Sequence, residues 1–264
     1  PPSPVFDPAP AGADGPVDNA RMDSTAQDIA ATAARLVVEE GLEWGPAKRR
    51  AARQLGLGPR AALPPNDLLE DAVREYIQVF CADTQPGELA ALRRLAATWM
   101  ERLAEFRPHV CGAVWHGTAT RLSDVYLQLF CDDPKSAEIA LIDQRVDYQA
   151  RTITGFQGGE VEALSFSARC DDLAESIGIH LMIHDHDDLR GALRPDARGR
   201  APRGDLEDLR ALMAREEGSE TRPDSPPEVR PDIHPDARTD SRRRWLLGGV
   251  AVAAAAAGAR PPTR

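Results

Sequence analysis

The sequence predicts an α+β fold in which helices come first and a mixed β-sheet with covering helices follows. Up to about residue 106, apolar residues recur at spacings of three and four, the period of a helix with one buried face. After Pro108 the pattern changes to short runs rich in Val, Ile, Leu and aromatic residues, as strands require. With helices grouped ahead of strands, the pattern suits an α+β arrangement, or an α/β sheet with a helical prefix.

Residues 1–21 are dominated by Pro, Ala, Gly and Asp, too little apolar surface to offset ordering, and are expected to be disordered. Met22 reads as a start, and residues 22–107 as the N-terminal helical region. Asp23 or Ser24 is placed to cap a helix over about 25–40, with Ile29, Ala33, Leu36 and Val37 on one face and Gly41 as its stop. A second helix runs from Pro46 to Leu55, and Asn66 is placed to cap a third that carries Leu69, Val73, Tyr76, Ile77 and Phe80. A fourth spans about 87–106, with Leu89, Leu92, Ala96, Trp99, Leu103 and Phe106 as its stripe. Residues 108–217 form the α/β part: strands are predicted at Val110–Trp115, Val125–Phe130, Ile139–Val146, Val161–Phe166 and Ile179–His184, and helices near Asp171–Ser176 and Leu206–Arg215. Residues 218–240 return to linker composition.

The chain has 264 residues and a formal charge of −10. Residues 238–264 hold six Arg and one Asp, and residues 1–21 hold three Asp and one Arg, so 22–237 carries a net −13. Such a body is a poor partner for duplex nucleic acid, where phosphate contacts need Lys and Arg. Cys81, Cys111, Cys131 and Cys170 are spread singly without a Cys-x-x-Cys pair, which fits reduced thiols and a cytoplasmic location. Neither a Gly-x-x-x-x-Gly-Lys-Ser/Thr phosphate loop nor a Gly-x-Ser-x-Gly elbow occurs.

The stretch WHGTATRLSDVYLQLF, 115–130, sets a carboxylate, Asp124, at the entry of an apolar strand. That position suits either a strand-end cap or a metal ligand. Gly117-Thr118 followed by Ser123-Asp124-Val125-Tyr126-Leu127 resembles the minimal nucleotidyltransferase fold, whose pattern is Gly-Ser, a short connection, then Ser-Asp-h-Asp-h opening a strand. The resemblance spans about residues 87–190. It implies a nucleotidyltransferase-like sheet, a nucleotide or phosphorylated small-molecule ligand, and Mg2+ held by carboxylates. Gly117, Thr118, Arg121, Ser123 and Tyr126 then become ligand-binding candidates, and Asp124 the catalytic and metal-binding acid. Tyr126 stands where the family has its second carboxylate, and His180 falls at the place of its third, so the implied protein is degenerate, binding with little or no turnover. Asp143 and Asp147, on the predicted strand 139–146 or just beyond it, are the substitute catalytic acids.

His184-Asp185-His186-Asp187-Asp188 follows a predicted strand, where two His at i and i+2 share a face and can share a metal. The run resembles the His-x-His-x-Asp-His signature of metallo-β-lactamase-like hydrolases, with Leu189 in place of the last His. It makes His184 and His186 metal candidates and a metal-dependent hydrolase an alternative function. A structural or adaptor protein presenting Trp115 and Tyr126 is the other. The loop 194–205 gathers Arg194, Arg198, Arg200 and Arg203, which could collect phosphate or close over a substrate.

SRRRWLLGGVAVAAAAAGARPP, 241–262, resembles a twin-arginine export signal, Ser-Arg-Arg-x-Phe-Leu followed by a weak apolar stretch and a small-x-small site. It implies contact with export machinery or, as an alternative, association with the inner membrane.

Overall fold

The computed structural model describes residues 16–220 except Ala197. The terminal stretches 1–15 and 221–264, with the twin-arginine-like segment and His234, lie outside the described residues. Contacts divide the chain into two units, Pro1–Arg222 and Pro223–Arg264, and every described element belongs to the first.

The helical region consists of α1 (Pro16–Glu40), α2 (Trp44–Gln54) and α3 (Asn66–Phe80). Its core holds Ile29, Ala33, Leu36, Leu69, Val73 and Ile77 of the predicted stripes, joined by Ala47 and Ala51 of α2. Val37 and Tyr76 are only partly buried, and Phe80, expected on the stripe, is 67% exposed. Asn66 is the first helical residue and not the cap. Pro65 holds the cap position, and the Asn66 side chain accepts a hydrogen bond from Lys48.

α4 (Gln85–Arg102) leads through a 3-10 turn into β1 (His109–Cys111), α5 (Gly112–His116), β2 (Val125–Phe130), α6 (Pro134–Asp143), β3 (Gln149–Thr154), β4 (Glu160–Cys170), β5 (Glu175–His184), α7 (Leu189–Ala192), β6 (Arg203–Gly204) and α8 (Leu206–Glu220). The six strands form one mixed sheet in the order β3-β4-β5-β2-β1-β6. β2 and β5 run parallel, with Tyr126 opposite His180, and the other pairs are antiparallel. The α+β class with a helical N-terminal region is therefore what the chain adopts.

Strand alternation gives the sheet two unlike faces. Val125, Leu127, Leu129, Leu164, Phe166, Ile179, Leu181 and Ile183 point to one face and are covered by α4, α6 and α8 through Leu92, Trp99, Leu141 and Leu209. The other face carries Cys111, Tyr126, Gln128, Phe130, Ser165, His180 and His184.

Two predicted strands are otherwise. Val110–Trp115 is strand only to Cys111. From Gly112, at φ +68°, the chain turns into α5. Ile139–Val146 lies mostly in a helix, α6, opened by Asp133, whose carboxylate accepts from Lys135 N at 3.0 Å, and by Pro134 at the first position. Its buried pair is Ala137 and Leu141, four apart, while Ile139 and Ile142 are 55% and 58% exposed. The expected helix at 171–176 is a turn over 171–174, and Glu175 and Ser176 already belong to β5. β3 carries no apolar signal in the sequence because it is an edge strand with almost every side chain exposed.

Arg93 is 1% exposed in the middle of α4. Its Nε donates to Val114 O at 3.0 Å, Nη2 reaches Trp115 O at 3.5 Å, and Nη1 pairs with Glu216 of α8. These carbonyls belong to the C-terminal end of α5, which has no helical partner for them. Arg93→Ala is expected to lower the unfolding free energy by about 3 kcal/mol, because buried carbonyls and a carboxylate lose their donor. Urea denaturation checks it, and a loss below about 1 kcal/mol would contradict the assignment.

Candidate functional site

Asp124 ends the connection into β2, and its carboxylate spans to the neighbouring strand. Oδ1 accepts from Gly178 N at 3.2 Å and Oδ2 lies 3.0 Å from His180 Nε2. Gly178 is required for this approach, since a Cβ there would sit 2.6 Å from Asp124 Oδ1. The His180 hydrogen bond, with the Gly178 N–H in support, holds the Asp124 carboxyl below the usual carboxylate range against partial burial. His180 Nδ1 lies 2.8 Å from Ser165 Oγ on β4, opposite His180 in the ladder. Because an ionised Asp124 can only accept, the network assigns the neutral ring its proton on Nε2 and leaves Nδ1 to accept from the Ser165 hydroxyl. Tyr126 stacks on the same imidazole, centroids 4.7 Å apart and planes at 23°. Asp124 is thus neither a turn cap nor a member of a carboxylate cluster. It orients a histidine on the next strand.

Two clefts meet at Asp124. One, about 590 Å3, lies between the ends of α1–α3 and the entry of β2 and is lined by Trp44, His116, Ser123, Asp124, Tyr126 and Arg200, among others. Glu43, Asp67, Glu70 and Asp196 also line it and give it an acidic character. Arg200 is committed to Glu70 and Asp196, and the Tyr126 hydroxyl donates to Glu43 at 2.9 Å. Burial and the acceptor Glu43 push the Tyr126 phenol well above its ordinary value, so it stays protonated. The second cleft, about 790 Å3, opens on Asp124, Ser165 and His180 with Arg102 and Arg145 at its rim.

The other predicted residues scatter. Gly117, at φ +80°, closes α5, and its carbonyl accepts from Gln85. Thr118 is buried. Gly117 faces Leu89 and Arg93 of α4, and neither it nor Thr118 lines the cleft beside Asp124. Arg121 pairs with Glu175, and its own N–H donates to Glu88 at 3.0 Å. Asp147 reaches the rim of the second cleft, while Asp143, at the exposed end of α6, joins neither. His184 ends β5 and is buried, whereas His186 lies past the strand in a 3-10 turn and contacts Arg107. The two imidazoles therefore do not share a strand face. Among the described residues no group of three or more His, Cys, Asp or Glu is arranged to hold a metal. The donor set at Asp124, with Tyr126 and His180 at the other motif positions, does not fit Mg2+. Ser165 and Glu43 carry no signal in the sequence; the pairing of β4 with β5 brings Ser165 to the site, and Glu43, just before α2, joins it through the Tyr126 hydroxyl.

Comparison with protein-family models, with curated proteins and with solved structures returns no match. Among the described residues no helix is long and apolar enough to cross a membrane.

Burial lowers the pKa of His116 and of His184. Each is held neutral when folded but takes a proton near pH 6.5 when unfolded, so their contribution to stability is full above that value and falls as the pH drops toward the folded pKa. Asp124 and Glu70, both shifted down, keep their contributions through the same window and lose them only on stronger acidification. Urea midpoints are expected to decline from pH 7.5 to 5.5, with a shallower decline in His184→Phe. An identical slope in that variant would show that His184 does not titrate as its burial requires.

Proposed function

We propose that the chain is a nucleotidyltransferase-like binding protein that holds a nucleotide, through its base and sugar, without metal-dependent turnover. The observation that carries this reading is the Asp124–His180 pair: a carboxylate and an imidazole stand on adjacent strands where metal-dependent transfer needs carboxylates. The cleft beside it has the volume of a small-ligand site. Trp44 and Tyr126 give it aromatic surface, and its acidic rim favours hydrogen-bond donors of a base and ribose over a triphosphate. Isothermal titration with nucleosides and their triphosphates, with and without Mg2+, tests it. Nucleosides should bind at least as well as triphosphates, Mg2+ should make no difference, and Tyr126→Ala should weaken binding about tenfold through lost stacking of ~1–3 kcal/mol. Absence of saturable heat from all of them, or a strict Mg2+ requirement, rules the reading out.

A second reading is favoured by the Ser165–His180–Asp124 array opening on the larger cleft. Asp124 fixes the ring, His180 Nδ1 accepts the hydroxyl proton as Ser165 Oγ bonds to the carbonyl carbon of an activated ester, and the same proton goes to the alcohol released when the ester C–O bond breaks. It ranks second because β4 lies between β3 and β5, which commits the Ser165 backbone to ladder hydrogen bonds and leaves oxyanion support to Arg102 or Arg145. Labelling by an alkyl fluorophosphonate, lost in Ser165→Ala and reduced in Asp124→Asn, is the expected outcome. An unlabelled wild-type protein ends this reading.

A further inference from the structure

On the second face of the sheet, away from Asp124, lies a buried cation without a carboxylate. Arg203 of β6 stands opposite Cys111 of β1 and is 8% exposed. Its Nη1 donates to the Gln128 side-chain oxygen, a neutral acceptor, and its guanidinium carbon lies 4.5 Å from the centre of the Phe156 ring. Nε is fully buried with no partner. Among the described residues no Asp or Glu forms an ion pair with it, whereas Arg198 and Arg200 of the same loop are paired to Asp71 and Glu70. Taking a guanidinium out of water costs several kcal/mol unless an anion compensates. A neutral amide and a ring face supply only part of that compensation.

His184 shares the same ring. It is 3% exposed, its centroid is 4.7 Å from Phe156 and 5.6 Å from Phe130, and its Nε2 is likewise buried without a partner. Two unpartnered nitrogens thus flank Phe156 from below. Phe156 sits in the β3–β4 hairpin Gly155–Gly159, 38% exposed, and forms the roof. Gly155 passes so close to the site that a Cβ there would lie 3.2 Å from His184 Cε1 and 2.8 Å from Val161 Cγ1. The hairpin tip makes one side-chain hydrogen bond, from Gln157 to Asp188 at 2.9 Å, which is exposed. Besides that bond, the Phe156 ring contacts His184 and Arg203, so lifting the ring breaks those contacts and a bound anion must replace them.

We propose that Arg203, His184 and Gln128 form a subsite for a compact oxyanion, a phosphate or carboxylate group, roofed by the Phe156 hairpin. An anion entering under the lifted ring accepts hydrogen bonds from Arg203 Nε and His184 Nε2 and supplies the charge the guanidinium lacks. The subsite stands independently of the nucleotide reading, because none of its three side chains lines the cleft with Trp44 and Tyr126.

The test uses the full chain and inorganic phosphate, with acetate as the carboxylate arm and sodium chloride at matched ionic strength as control. Saturable binding by isothermal titration and a rise in Tm beyond the chloride control are expected from at least one of the two anions. Arg203→Met, close in length and apolar, should weaken binding at least tenfold, with the ligand-free Tm read alongside to show that the variant is folded. Phe156→Ala should retain binding, and Tyr126→Ala should leave the anion response unchanged, which separates this site from the nucleotide cleft. Should Arg203→Met not fold, Gln128→Leu and His184→Phe carry the same comparison. No saturable response of the wild-type protein to either anion, or an undiminished response in a folded Arg203→Met protein, overturns the proposal.

Discussion

Buried carbonyl groups in the connection from β1 to β2 are the constraint on which the rest of this structure depends. A five-residue helix, α5, ends inside the protein, followed by a turn at Gly117–Thr120; the segment's own N–H groups serve Ala113 and Thr120, and the carbonyls between them need donors from outside. The donors come from elsewhere: Arg93 serves Val114 and Trp115, Arg74 serves His116, and Gln85 serves Gly117 and Ala119. Those three side chains lie on α3 and α4, so the helical region and the sheet are locked through one short peptide segment. Without that lock the entry of β2 would not be fixed, and Asp124 could not meet Gly178 and His180 across the parallel ladder. The same use of the turn takes Gly117 and Thr118 out of ligand contact.

The two faces of the sheet have been given different tasks. The face under α4, α6 and α8 is uniformly apolar and supplies the core. The opposite face carries imidazoles, an amide, a hydroxyl and a guanidinium at buried or half-buried positions, where polar groups need partners to be tolerated. Some have them, as in the Ser165–His180–Asp124 chain. Others, Arg203 Nε and His184 Nε2, do not. A sheet whose covered face secures stability is free to hold such chemistry on the other, and the acidic cleft beside Tyr126 adds a third polar environment at the entry of β2.

Periodicity is informative where one helix face is wholly buried. Leu69, Val73 and Ile77 or Leu92, Ala96 and Trp99 mark their helices unambiguously, and the alternation of Val125, Leu127 and Leu129 marks β2. It misleads where an element buries little. α6 buries only Ala137 and Leu141 and exposes two Ile, so its composition reads as strand although Asp133-Pro134 carries the helix-start signal. At 110–115, an apolar run of strand character bends into a helix because Gly112 adopts a left-handed conformation that the run alone does not announce.

The sequence by itself determined the class, helices before a mixed sheet, because burial periodicity is a local property of the chain. It also singled out Asp124 and Tyr126, which do line a cleft, since a carboxylate at a strand entry is conspicuous in one dimension. Only the tertiary structure decided what Asp124 touches. Its partner His180 is 56 positions away, and Ser165 joins the pair through the β4–β5 register, and neither distance is encoded in local spacing. The separation of His184 from His186 and the isolation of Arg203 were likewise settled by where β5 ends and which strand β6 joins. Charge and hydrogen-bond partnership are set by neighbours across the sheet, and a linear pattern carries no record of them.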